Sequence, residues 1–393
     1  MTGHQAEFWH PGILAKYLAA DAAARAIRAR GHGVRVVWLV ADQDSNDPSA
    51  IQYPAASPSG PVRALWKPAF RGATTSSDAF VDVPTSALPV LDAAGQAGVG
   101  PALPCVSEGL GRMASALRAH AGASSAGGQI TGALCDLLRP HAAPDEVVYA
   151  SELYRLGAFS ELLERMRSDP AGCTRAYNAA AARFPRARVR PLIDQPGRLE
   201  LPLWRMPDGP LRPRRPVFAA DLPDTEPAHL APRALLMTAI VRLEACDLFI
   251  HGTGGGVYDQ VTDAWLSAWL PGRALAPTAV VTATRFLPFR ERVPSPEEIE
   301  RARWRAHHAR HDPGELGDSA AAARKQELLV ELRTARSRGQ SPSVAFGKLH
   351  TLLDETRRTR AEVLGQFESG AAAALGQRRL AEVVYDRTWP FPL

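Results

Sequence analysis

The spacing of apolar positions changes several times along this chain, and each change marks an element. Over residues 11–30 apolar side chains recur at helical spacing, at Ile13, Leu14, Tyr17, Leu18 and Ile27, with Pro11 suited to a first turn and Gly31 to a stop. That predicts a helix. The run VRVVWLV at 34–40 is short, continuous and rich in β-branched residues, which is how a strand buried in a parallel sheet reads. An acidic turn, ADQDSND, closes it. Residues 48–104 are rich in Pro, Gly and Ser with short apolar runs such as ALPVL, predicting irregular surface with one or two strands. Helical spacing returns from 106 to 184. RLELPLWRM, at 198–206, has strand character, and RALLMTAIVRLEA reads as a helix. ACDLFIHGTGGGVYDQVTDAWLSAWL then reads as strand, glycine loop and helix in succession, the helix beginning near Tyr258.

Beyond Pro294 the composition shifts to Arg, Glu, Ala and Leu at helical spacing. Two stretches, 297–336 and 344–375, flank SRGQSPS and suggest an antiparallel helical hairpin or coiled-coil arm. The expected fold class is α/β: a Rossmann-like parallel-sheet core, a helical insertion and a C-terminal antiparallel helical hairpin. The expected organisation is a first half of the core at 1–105, the insertion at 106–190 and a second half with the glycine loop at 191–293. The helical arm follows at 294–378 and a tail at 379–393.

With 393 residues, 46% of them apolar, the chain has enough apolar surface for at least one full core. Its formal charge of +5 comes from arginines spread among acidic residues, without the dense basic block that tracks phosphates, so no nucleic-acid partner is expected. Cys105, Cys135, Cys173 and Cys246 form no CxxC pair and signal neither a zinc ribbon nor a disulfide framework. No leader pattern and no apolar run of spanning length occurs, so the expectation is a cytoplasmic protein without a membrane partner. No HExxH or Cys/His spacing occurs, so no metal site is expected.

Three polar constellations stand out against this background. The first is the opening stretch TGHQAEFWHPGILAK. His4 and Gln5 precede a loop, and His10, Gly12 and Lys16 sit at or inside a helix start, where backbone N–H groups and the dipole favour anions. The histidines also read as plain capping or surface residues. The second is Asp42 and Asp44, placed straight after a strand, where ligands bind in parallel α/β sheets. Turn formation explains them equally well; otherwise the pair holds an amine or a nucleotide's Mg²⁺. The third and most specific is HGTGGGVYDQVTD. Its clustered glycines, Gly254 and Gly255 among them, let backbone amides approach a ligand, with His251, Tyr258, Asp259 and Asp263 to orient it. It lacks the last glycine of GxGxxG and the Lys-Ser/Thr of a P-loop, and a plain tight turn is its other reading.

In order, TGHQ, HPGILAK opening a helix, WLVADQD ending a strand, PRALL and HGTGGGVYDQ resemble the cysteine-adding enzyme of bacillithiol biosynthesis and its relatives. That family is similar to class I synthetases and nucleotidyltransferases: a Rossmann-like core with a coiled-coil arm. By resemblance, Gly3, His4 and Gln5 match the family's opening turn, Gly12 and Lys16 its helix start, and Asp42 and Asp44 its acidic strand end. Arg233, Gly254, Gly255 and Tyr258 match the later arginine and glycine loop. The resemblance implies a C–N bond-forming ligase coupling an amino acid, cysteine above all, to a small-molecule amine acceptor, with ATP and Mg²⁺ as cofactors; the helical arm, with little core to contact, suggests a homodimer. His10-Pro11-Gly12 also resembles half of the class I HxGH signature, with Ile13 where the second histidine would stand. Two alternatives remain: a nucleotidyltransferase that stops at adenylyl transfer, and a non-catalytic binding protein on the same fold.

Overall fold

Five short strands, all parallel, organise the larger part of the molecule in the computed structural model, which describes every residue except 58–59, 73–81, 94–99, 290, 387 and 391–393. Part of the expected irregular segment 48–104 and of the tail 379–393 therefore lies outside the described residues. Across the sheet the strands run Thr278–Val280, Phe249–His251, Thr2–His4, Val37–Val40 and Glu146–Tyr149. Thr2 is in register with Ile250 on one side and Trp38 on the other, and His4 with Val40. Counted along the chain, the order is fifth, fourth, first, second, third. The connection direction reverses between Thr2–His4 and Phe249–His251, the topological switch point at which open α/β sheets bind ligands.

Physical reasons for the elements are local. Val37–Val40 is buried at every residue, as an apolar run between two parallel neighbours must be. Gly3 allows the neighbouring strand to come close: a Cβ there would lie 2.7 Å from both Cβ and O of Leu39. The helix Pro11–Arg28 starts at the expected proline. It is pinned by aromatic packing, since Trp9 stacks on Tyr17 at 4.1 Å between ring centroids and Trp38 meets both edge-on. Phe8 and Trp9 are thus core residues of the opening turn.

Two departures from the sequence reading concern the helical regions. The segment expected as a helical insertion carries helices at Pro104–Ala119, Ala126–Leu138, Gly157–Ser168 and Pro170–Arg183, but also the sheet strand Glu146–Tyr149. This edge strand is flanked on one side only and mostly half-buried, so EVVY lacks the long apolar run that marked Val37–Val40. The glycine segment is no loop. The helix Thr253–Trp269 starts directly after Gly252, and Gly254, Gly255 and Gly256 form its first turn.

A small antiparallel sheet of Asp194–Gln195, Arg198–Arg205, Arg215–Phe218 and Leu230–Pro232 belongs to the same unit. A buried apolar cluster that includes Phe159, Tyr177, Leu201, Leu236, Trp265 and Trp269 joins this sheet to the helices beside it. This unit comprises Met1–Ala55, Arg63–Leu287 and the residues from Asp386.

The second unit, Ala56–Val62 with Pro288–Tyr385, is built on four helices: Pro296–Ala309, Ser319–Ser337, Ser343–Thr359 and Ala361–Val384. Each of the two expected long helices is therefore broken in two. The first breaks around Pro313 and Gly314, where proline removes a donor and glycine relaxes the backbone; the second breaks at Arg360, whose φ is −108°. Among the described residues no helix is long and apolar enough to cross a membrane.

Candidate functional site

At the switch point the carboxyl ends of two adjacent strands, His4 and His251, open into a cavity of about 370 Å³. Its lining takes Gly3, His4, Gln5, His10, Gly12 and Lys16 from the opening stretch, Asp44 from the acidic turn, and His251, Gly254, Gly255 and Tyr258 from the glycine segment. Asp42, Arg233 and Asp259 lie outside the lining.

The first helix start is closed to a ligand's acceptors. His10 is its N-cap, and His10 Nδ1 accepts from Gly12 N at 3.0 Å. Pro11 has no N–H, and the amides of Ile13 and Leu14 both reach His10 O. His10 is therefore the helix cap, the plainer of its two readings, while its ring still borders the cavity. The second helix start is different. Gly252 brings no side-chain cap, the helix's first amide bond runs from Gly256 N to Gly252 O, and the amides of Thr253, Gly254 and Gly255 precede it. These amides, with the helix dipole behind them, make this helix start suited to an anion.

Lys16 is 4% exposed, and its Nζ donates to Gly3 O. Burial pushes its ammonium down to about 7, with Glu7 opposing. Burial and the nearby Asp44 push Glu7 up to about 7, with Lys16 opposing. Burial, then Lys16 and His10, hold His4 down at about 3, so its ring is neutral at physiological pH. His4 Nδ1 sits 3.4 Å from Glu7 Oε1 and is buried without a hydrogen-bond partner among the described residues.

The aspartates part company. Asp42 accepts from Ser151 N at 2.9 Å and Ser151 Oγ at 2.6 Å, tying the end of Val37–Val40 to the turn after Glu146–Tyr149. Burial pushes it up to about 6 despite those bonds. Asp44 faces the cavity but is already paired: Arg214 Nη1 lies 3.0 Å from Oδ1, and Gln5 Nε2 donates to Oδ2 at 3.2 Å. The two carboxylates therefore form no joint amine or Mg²⁺ pocket. Among the described residues no group of three His, Cys, Asp or Glu side chains is placed to hold a metal ion.

Arg233 is likewise engaged away from the cavity. Its Nη2 lies 2.7 Å from the fully buried Glu200, its Nε donates to Leu203 O, and its guanidinium lies 4.1 Å from the Trp204 ring. Arg214 packs on the same ring at 4.2 Å. Asp259 is buried behind the glycine turn, with Oδ2 2.6 Å from His251 Nε2. Sequence reasoning passed over Arg214, Glu7, Thr238 and Met237. Arg214 lies between prolines in LRPRRPVF with no periodic pattern around it, and only its contact with Asp44 reveals its place.

No family model and no curated protein matches this chain.

Proposed function

We propose that the chain is a C–N bond-forming ligase, coupling an amino acid, cysteine by its resemblance to the cysteine-adding enzyme of bacillithiol biosynthesis, to the amine of a small acceptor. One observation carries this reading. Among the described residues, the amides of Thr253, Gly254 and Gly255 have no hydrogen-bond partner and border one switch-point cavity with the buried Lys16, while its one lining carboxylate, Asp44, is neutralised by Arg214. Such a site takes an anionic group, carboxylate or phosphate, and holds it where an oxyanion developing at an acyl carbon meets fixed donors. A ligation of this kind needs that stabilisation beside a group able to accept the amine's proton.

The phosphates of ATP fit these donors by charge and by hydrogen-bonding type, and ATP supplies activation of a carboxyl group when bound. A Mg²⁺ bridged by Asp42 and Asp44 does not fit, because both carboxylates are committed to protein partners. The His10-Pro11-Gly12 triplet at the cavity favours a second reading, adenylyl transfer without coupling. Self-association through the helices of the second unit completes the proposal.

The test incubates the protein with ATP, cysteine and a panel of amino sugars and follows products by mass spectrometry, alongside thermal shifts with each ligand alone. Coupling predicts a product with the mass of cysteine plus acceptor less water. Exchange of labelled pyrophosphate into ATP without that product selects the adenylyl-transfer reading. No thermal shift with any of the ligands and no product ends both.

A further inference from the structure

At the wall of this cavity one imidazole has one ring nitrogen held by a buried carboxylate and, among the described residues, the other without a hydrogen bond. His251 ends its strand only 6% exposed, and its Nε2 is committed to Asp259 Oδ2 at 2.6 Å. An ionised carboxylate is an acceptor only, so Nε2 carries the hydrogen and, in the neutral ring, Nδ1 holds the lone pair. Nδ1 makes no hydrogen bond among the described residues. It lies under the first turn of the following helix, where a Cβ on Gly255 would come within 2.3 Å of it.

Behind the ring, the supporting groups are themselves buried and fixed. Asp259 is 2% exposed, and Arg242 Nη1 lies 3.2 Å from the same Oδ2. Arg242, 5% exposed, donates from Nε to Ala276 O at 2.8 Å and from Nη1 to Asp263 Oδ1 at 2.8 Å. The guanidinium thus holds the same carboxylate oxygen that meets the imidazole, while among the described residues Asp259 Oδ1 has no hydrogen-bond partner, an arrangement that selects one tautomer.

The other bases of the cavity are less suited. His10 Nδ1 already accepts from Gly12, Lys16 Nζ donates to Gly3 O, and protonation of His4 is opposed by burial and by Lys16.

We propose that His251 Nδ1 is the proton acceptor of this cavity, and that Asp259 and Arg242 are the positioning residues that turn its lone pair toward the ligand. The inference rests on the ligase reading for the identity of the proton. There the amine nitrogen bonds through its lone pair to the carbon of an activated carboxyl group. The bond from that carbon to its leaving oxygen breaks, and the electron pair departs on the oxygen. The hydrogen of the nitrogen passes as a proton to Nδ1, and Asp259 stabilises the imidazolium so formed. The adjacent amides of Thr253, Gly254 and Gly255 meet the negative oxygen on the other side.

Nitrogen-15 NMR of protein labelled at histidine reads the hydrogen directly, with His251→Gln assigning the signal. The wild type is expected to show the hydrogen on Nε2 and a bare Nδ1. Asp259→Asn offers an N–H to Nε2 and is expected to move the hydrogen to Nδ1. It is then expected to lower kcat on the order of 10²-fold with little change in KM. Asp259→Glu, which keeps an acceptor, is expected to recover part of the loss. A hydrogen on Nδ1 in the wild type overturns the proposal, as does full turnover by Asp259→Asn after the tautomer has moved. The wild-type spectrum decides even where a variant does not fold. Failure of the wild type to couple any substrates overturns the ligase reading instead, while the nitrogen signals still decide whether Nδ1 is the open acceptor.

Discussion

Arg214 Nη1 lies 3.0 Å from Asp44 Oδ1, and this ion pair sets the sign of the charge at the cavity wall. Alone, Asp44 would repel an anion beside the Gly254 and Gly255 amides. Paired, it leaves Lys16 and the helix dipole in control. Removing the guanidinium by Arg214→Gln should therefore weaken phosphate or ATP binding by about tenfold, or ~1.4 kcal/mol, and Asp44→Asn should tighten it. Isothermal titration of both variants checks the signs. Tighter ATP binding by Arg214→Gln would mean that Asp44 faces a cationic ligand group after all.

The first turn of Thr253–Trp269 offers an internal control. A Cβ on Gly254 meets nothing within 4 Å, whereas one on Gly255 would meet His251 Nδ1 at 2.3 Å. Gly254→Ala should keep or raise the melting temperature, because alanine in a helix is favoured over glycine by roughly 0.5–1 kcal/mol. Gly255→Ala should displace the imidazole and abolish ligand-induced thermal shifts. Equal behaviour of the two variants would show that the ring moves freely.

His10 caps the first helix through Nδ1, so its removal has a structural cost distinct from any chemical one. His10→Ala should destabilise the protein by about 1 kcal/mol, and His10→Asn, with another acceptor suited to an N-cap, by less. Urea melts measure this. If His10→Asn keeps stability but loses product formation on the order of 10²-fold, the imidazole also meets charge in the reaction. If both variants couple substrates at the wild-type rate, His10 is a cap alone.

Lys16 gives stability a pH dependence with a definite direction. Its ammonium titrates near 7 in the folded protein and near 10.5 when exposed. Between those values the unfolded chain holds a proton that the folded chain has released, so unfolding takes up a proton and stability rises with pH. Below about 7 both states are protonated and the full cost of burying the charge applies. Comparing urea melts of wild type and Lys16→Met from pH 7 to 10, the wild type should gain on its variant by up to about 1.4 kcal/mol per pH unit. Glu7, raised from 4.5 to about 7, acts in the window below and with opposite sign, so the two contributions separate. A constant difference across the alkaline range would show that the Lys16 ammonium is not depressed.

Much of the architecture is set by local pattern. Apolar period and punctuation alone place the first helix at Pro11, a buried strand within 34–40, which the structure forms at Val37–Val40, and a strand running into a glycine-rich segment, because backbone propensity, burial on both faces and proline or glycine act within a few residues. The same local signals mark the stretches that meet at the cavity, since polar side chains directly after buried strands have few places to face other than a ligand crevice. The edge strand Glu146–Tyr149 left no such mark, because one open side asks for no long apolar run. Only the tertiary structure decides what each polar group is for. Arg214 reaches Asp44 across 170 residues, and Ser151 reaches Asp42 across 109. Charge pairing and desolvation depend on distances between such segments, which carry no signature in residue spacing along the chain.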